Sequence, residues 1–226
     1  MAKRAKNLLV WLHGLTSVGW MSQALALFVL VVYGLKTGDA AGFRMAQVLD
    51  HRLLAMLANA SAFTGMMLSA LTPWGYFRHW WVLAKFVITV VQLYLGIFLL
   101  SGNLNAAAST GGTSPAMPVG TALMASAIAF QLWLSVAKPW KRTPWSTAKK
   151  LPTGSPTMFL VAVAVPIADC AIGTWLGNPM PALSLLVVIG YSVRRAATAR
   201  SRSSAGSGRG TPAGPARRAA TAPGPR

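Results

Sequence analysis

The sequence is poor in acidic residues and in cysteine. Its 226 residues include only three Asp or Glu and one Cys, against 21 Lys or Arg. Charged residues make up 11% of the chain, whereas a soluble domain carries about 25%. A single cysteine cannot form an internal disulfide or a zinc cluster. The histidines and carboxylates also lack the spacing of any common catalytic motif of soluble enzymes. These absences together exclude an ordinary soluble enzyme.

Apolar residues are abundant instead, at 54% of the chain, which is too many for a largely disordered protein. A membrane-spanning helix needs about 20 mostly apolar residues. Such runs predict six spans: Leu8–Leu35, Leu53–Leu71, Trp80–Leu100, Val119–Ala137, Met158–Leu176 and the shorter Ala182–Val193. The last is about 18 Å long as a helix, against a hydrocarbon core of ~30 Å. It either extends back across Pro179 and Pro181 or forms a half-span.

The predicted fold class is therefore all-α, a polytopic transmembrane helix bundle. Residues 1–140 form a four-helix core, residues 141–156 a basic cytoplasmic loop, and residues 157–193 a C-terminal helical hairpin. The first apolar run continues well beyond the length of a signal-peptide core, so we interpret it as a retained helix. The segment Ser101–Pro118 is uncharged and rich in Gly, Ala, Ser and Thr, which predicts a flexible outer loop.

The basic residues indicate the orientation of the chain. With six spans and a cytoplasmic N-terminus, nearly all bases outside the spans fall on the cytoplasmic side, as the positive-inside rule requires. Four spans plus a re-entrant hairpin give the same sidedness, whereas five spans would place the tail outside. We expect a multi-pass protein of the cell membrane with both termini in the cytoplasm.

The C-terminal tail, residues 194–226, carries eight arginines and almost no large apolar residues. It cannot bury a core and is predicted to be disordered. Anionic lipid headgroups are its expected partners. No aromatic side chain between the arginines offers a base-stacking surface, so no specific nucleic acid is expected.

Ionisable residues within spans are costly and mark candidate functional positions. His13 and Lys85 each lie about one and a half turns inside a helix that starts at the cytoplasmic side, so they reach a similar depth. Lys85 shares a helical face with Thr89 and Gln92. No carboxylate lies at that depth, so an inward-facing Lys85 would need a counter-ion from a bound ligand, such as a lipid phosphate or a cofactor carboxylate. Alternatively, Lys85 extends to the interface, and His13 and Gln92 only join helices.

A second polar feature is a stripe of small residues on the second predicted span. Ser61, Gly65 and Ser69 recur every four residues, so they lie on one face and permit close approach of another helix. We expect the first three spans to pack around a partly polar seam.

Asp169 is the third ionisable residue within a predicted span, after His13 and Lys85. It follows Pro166, which frees a backbone carbonyl and favours a kink. A kink beside a carboxylate is how transporters build coupling sites. Alternatively, a protonated Asp169 hydrogen-bonds Thr174 or a neighbouring helix.

Three segments resemble known membrane proteins: residues 11–14 (WLHG), 17–20 (SVGW) and 72–85 (TPWGYFRHWWVLAK). They resemble an actinobacterial family of integral membrane proteins over roughly the first 140 residues. A His on the first helix and a Lys on the third are more distantly similar to HemJ-type protoporphyrinogen oxidases and CopD-type membrane proteins. That resemblance implies haem as cofactor, His13 as its axial metal ligand and Lys85 as a companion residue.

Three hypotheses for the function follow. The first is a protein that binds haem or another anionic cofactor through His13, Lys85 and Gln92. The second is a small proton-coupled transporter centred on Asp169. The third is a structural or lipid-interacting membrane protein with a basic tail.

Overall fold

The fold is all-α, as predicted, in a computed structural model that describes residues 2–146 and 151–207. The helices are α1 (Ala2–Thr37), α2 (Ala40–Leu49), α3 (Ala55–Leu71), α4 (Trp80–Leu95), α5 (Ser101–Thr110), α6 (Ala116–Ala137), α7 (Pro156–Leu176) and α8 (Ala182–Ser207). The contacts between helices are densest where α1 packs against α3 and α6. Helix α1 is therefore the central element of the bundle.

Two pairs of helices are continuous through short π-helical segments. Asp50–Leu54 joins α2 to α3, and Gly96–Leu100 joins α4 to α5. Both helices are therefore longer than predicted, and the prediction of a flexible loop over Ser101–Pro118 was wrong for its first ten residues, which form α5.

A buried cluster explains why α5 is helical. Leu104 and Ala107 of α5 are almost inaccessible and pack with Phe43 and Ala46 of α2. On its other side α2 packs closely against α1, and Gly42 allows this approach because a Cβ atom at that position would lie 2.8 Å from the backbone oxygen of Leu30. Small side chains in α5 thus serve close packing, which composition alone does not distinguish from flexibility.

Five helices of the described chain are long and apolar enough to cross a membrane: Lys3–Thr37, Ala40–Leu71, Trp80–Thr110, Ala116–Ala137 and Pro156–Leu176. The predicted sixth span is not among them. It forms the first part of α8, where the apolar stretch is short and meets the arginines at Arg194. Helix α8 continues to Ser207, past the residue where the disordered tail was expected to begin; residues 208–226 lie outside the described part.

The C-terminal helices extend the predicted four-helix core. Helix α7 packs against both α1 and α3, so it belongs to the bundle itself. It remains helical through Pro166, which is buried. A left-handed Gly177, with φ of 73°, ends α7 before the short connection to α8.

Residues 72–79 and 138–146 cover one end of the bundle, where α1 starts and α6 ends. We call this the N-terminal end. The side-chain hydroxyl of Thr143 donates to the Phe77 carbonyl at 2.7 Å, and the Trp145 indole donates to the same oxygen at 2.9 Å. The first part of the predicted basic loop is therefore ordered against the connection between α3 and α4.

Candidate functional site

A cavity lies near the N-terminal end of the bundle, between α1, α3, α4 and α6. Its volume is about 360 Å³, and both His13 and Lys85 line it. That volume is within the range of small-molecule sites. Two residues that sequence reasoning selected from separate helices thus share one cavity.

His13 is held against α3 by its Nδ1 atom. This nitrogen lies 3.1 Å from the Ser61 carbonyl oxygen and 3.1 Å from the Thr64 hydroxyl. The Thr64 hydroxyl donates its own proton to Ala60 at 2.7 Å, so it accepts from His13. Both partners are acceptors, which assigns the proton to Nδ1. Nε2 then keeps its lone pair, and it has no hydrogen-bond partner among the described residues.

Gly65 makes room for the His13 ring. A Cβ atom at Gly65 would lie 2.9 Å from Cε1 of His13, closer than such contacts occur. One turn away, the hydroxyls of Ser17 and Ser61 are 2.7 Å apart and join α1 to α3. The predicted face of small residues on the second span is therefore the surface that receives α1.

Lys85 points across the bundle to α6. Its Nζ donates to the Ser135 hydroxyl, and Ser135 in turn donates to the Gln131 carbonyl oxygen at 3.0 Å. The Lys85 side chain is half-buried. Its partner is a neutral hydroxyl, and no carboxylate within the described ranges forms an ion pair with it. The ammonium therefore has no protein counter-ion there.

Gln92 lies behind the cavity rather than in it. It is buried, donates to the Met124 carbonyl oxygen at 2.9 Å and accepts from Nε2 of Gln131. Thr89 donates to the Gln131 side-chain oxygen at 2.8 Å. These bonds join α4 to α6, so Gln92 acts through Gln131 and does not line the cavity itself.

Three lining residues on α6 and its C-cap were missed by sequence reasoning: Gln131, Ser135 and Lys138. Gln131 and Ser135 are four residues apart within an apolar helix, which places them on one face. That spacing was the available signal. Lys138 is one of the bases outside the predicted spans, and its Nζ lies 5.7 Å from the centre of the Trp74 ring, a cation–π contact at the cavity rim.

The charge of the cavity is one-sided. Lys85 and Lys138 both line it, and its described lining contains no Asp or Glu. Most of the remaining wall is aliphatic or aromatic. A low-dielectric wall strengthens the attraction of these bases for an anion. The arrangement suits a largely apolar molecule that carries a phosphate or carboxylate.

Asp169 lies elsewhere and caps a helix. Its Oδ1 accepts from the Leu183 amide at 3.0 Å and its Oδ2 from the Ser184 amide at 2.8 Å. These are orphan donors of the first turn of α8. The Thr174 hydroxyl instead donates to the Cys170 carbonyl at 2.7 Å. The adjoining cavity measures only about 10 Å³, so both carboxylate oxygens serve structure.

Asp50 is a second buried carboxylate. It lies where the π-helical segment joins α2 to α3, and its Oδ2 accepts from the Ser101 hydroxyl at 2.7 Å. This bond joins the two irregular helices at their junctions. No group of three His, Cys, Asp or Glu side chains positioned for a metal ion occurs within residues 2–146 and 151–207.

No family model, no curated protein and no solved structure matches this chain. The resemblance to the actinobacterial family and to HemJ-type and CopD-type proteins therefore stays a prediction.

Proposed function

We propose that this integral membrane protein binds a cofactor or ligand with an anionic group in its four-helix cavity, with His13 and Lys85 as the principal contacts. The observation that carries the proposal is that the two side chains line one cavity whose described lining has two lysines and no carboxylate. An intramembrane ammonium without a protein counter-ion is costly. A bound anion removes that cost.

The residues at the site fit haem as one such cofactor. Histidines that bind metals commonly donate their second ring N–H to a carbonyl or carboxylate, which orients the ring. His13 has this arrangement through Ser61, with Nε2 left for a metal. Lys85 and Lys138 would pair with carboxylates of the cofactor. When bound, haem would supply redox or gas-ligand chemistry.

An absorbance spectrum of the detergent-purified protein tests the haem form of the proposal. We expect a Soret band after expression with sufficient haem, its loss in His13→Ala and its retention in His51→Ala. His51 is a matched control because it is exposed and bonds to the Gln47 carbonyl, outside the cavity. A wild-type protein with no Soret band, or a band that survives His13→Ala, contradicts haem binding here.

Native mass spectrometry tests the wider proposal without assuming haem. We expect the purified protein to retain an anionic small molecule, and Lys85→Met to reduce its occupancy. Lys141→Met is the control, since Lys141 is exposed and does not line the cavity. Equal occupancy in the wild type and in Lys85→Met, with both proteins folded, would refute a role for Lys85.

We also propose that the N-terminal end of the bundle faces the cytoplasm. Bases gather there, at the start of α1 (Lys3, Arg4 and Lys6) and after α6 (Lys138, Lys141 and Arg142). The tail is proposed to contact anionic lipids from the same side, which requires the chain to return across the membrane at α8. Reporters fused after Ser146 and after Ser207 should both give cytoplasmic signals. A signal from the opposite side of the membrane after Ser207 would refute the return.

A further inference from the structure

We infer that the ligand of the cavity is a lipid-like amphiphile with a phosphate or carboxylate head, and that it enters sideways from the bilayer. This inference deepens the proposed function and rests on it. It adds the class of ligand and its route, which depend on where the cavity opens and what covers it.

The cavity has an apolar rim on the side of the bilayer. Val10 of α1 and Leu132 of α6 line it and are also 44% and 45% exposed. Both residues lie inside candidate spans, Lys3–Thr37 and Ala116–Ala137. At 1.5 Å per residue, each is about 8–10 Å from the end of its span. The rim is therefore at the depth where acyl chains begin. Beside it, a Cβ atom at Gly14 would meet nothing within 4 Å, so α1 leaves open space.

The water side of the cavity is covered by aromatic packing. The Trp74 and Trp81 rings meet edge to face, with centroids 5.5 Å apart. Lys138 lies over Trp74, and Thr143 holds the following segment to the Phe77 carbonyl. Trp81, Val82 and Leu134 form a buried cluster beneath. A water-soluble ligand would have to displace this cover, whereas a molecule already in the bilayer passes only apolar side chains.

The two bases define where the head would bind. Lys138 stands at the rim and Lys85 within the cavity, bonded to Ser135, which precedes Lys138 by three residues on the same side of α6. One anionic group between these ammonium groups would be attracted by both, while Phe86, Leu132 and Val10 receive its apolar part. A single anion on an apolar body matches this division of charge.

Photocrosslinking in nanodiscs tests the inference with the full chain. p-Benzoylphenylalanine is introduced in place of Leu132, and as a control in place of Val136, which is 78% exposed and does not line the cavity. The discs contain phosphatidylglycerol and phosphatidylcholine in equal amounts. We expect roughly 25-fold enrichment of phosphatidylglycerol adducts at position 132, from its attraction to the two bases, and adducts in the bulk ratio at position 136. The enrichment should disappear in Lys85→Met combined with Lys138→Met.

Three outcomes would overturn the inference. One is adducts at position 132 in the bulk ratio, and another is enrichment that survives both lysine substitutions. The third is enrichment abolished by millimolar inorganic phosphate, which would identify a free anion as the ligand. The proposed function can survive the failure of this inference. If the His13-dependent Soret band persists, or native mass spectrometry still shows a bound molecule that depends on Lys85, while position 132 gives crosslinks in the bulk ratio, only the lipid ligand is refuted.

Discussion

Replacing Gly65 with alanine tests the contact between α1 and α3 that orients His13. The new methyl group would lie 2.9 Å from Cε1 of His13, so the imidazole must move. Movement weakens the Nδ1 contacts to Ser61 and Thr64, both at 3.1 Å. Each hydrogen bond contributes about 0.5–1.5 kcal/mol. The same substitution gains about 1 kcal/mol of helix propensity. The two bonds together lose about 1–3 kcal/mol against about 1 kcal/mol gained, so the free energy of unfolding should fall by about 0–2 kcal/mol.

The imidazole itself should report the change clearly. In protein labelled with ¹⁵N-histidine, the chemical shifts of the two His13 ring nitrogens should show a fixed Nδ1–H tautomer in the wild type. In Gly65→Ala these shifts should depart from that pattern. Those of His51 should stay unchanged. The affinity of the cavity for its ligand should fall about tenfold for each 1.4 kcal/mol of binding free energy lost.

Gly102→Ala is the matched control for helix propensity. Gly102 lies in α5, away from the cavity, and an added Cβ atom meets nothing within 4 Å. It should gain about 1 kcal/mol without altering His13. If Gly65→Ala behaves in the same way, with full stabilisation and unchanged His13 signals, the reasoning about this contact is refuted.

Two further predictions concern hydrogen bonds. Ser135→Ala removes the hydroxyl that accepts from Lys85, so the free energy of unfolding should fall by about 1 kcal/mol. Ligand occupancy measured by native mass spectrometry should fall as well. Unchanged occupancy would argue against Ser135 as a positioning residue. Asp169→Asn replaces one capping oxygen of α8 by an amide nitrogen, so stability should fall by about 0.5–2 kcal/mol, with faster amide exchange at Leu183 or Ser184. Asp39→Asn, at an exposed cap of α2, should lower the free energy of unfolding by less. If Asp169→Asn abolished proton flux without loss of stability, the transporter hypothesis would be restored.

Most helices were predictable because a run of about 20 apolar residues has few alternatives to a spanning helix. Helices α6 and α7 end at Ala137 and Leu176, as predicted. The prediction was wrong at α5 because low hydrophobicity and small residues describe both a loop and a closely packed helix. Only its contact with Phe43 and Ala46 distinguishes the two.

The candidate site was partly predictable. His13 and Lys85 were identified because ionisable residues are rare in apolar runs, and their similar depth followed from counting residues from helix starts. Gln92 was assigned to the ligand because it shares a face with Lys85. In the structure that face meets α6, and the side-chain oxygen of Gln92 accepts a hydrogen bond from Gln131 instead of contacting a ligand. Periodicity gives the direction of a side chain but not the identity of the helix opposite.

The sequence by itself determined that this chain forms long apolar helices that could cross a membrane, with a few polar groups held inside them. Composition and run length suffice for that, because the bilayer allows so few backbone structures. The tertiary structure alone decided what each polar group does. His13 and Lys85 face one cavity, whereas Asp169 caps α8, because their partners come from helices distant along the chain. Pairing between helices depends on packing of whole surfaces, which no local pattern in the sequence records.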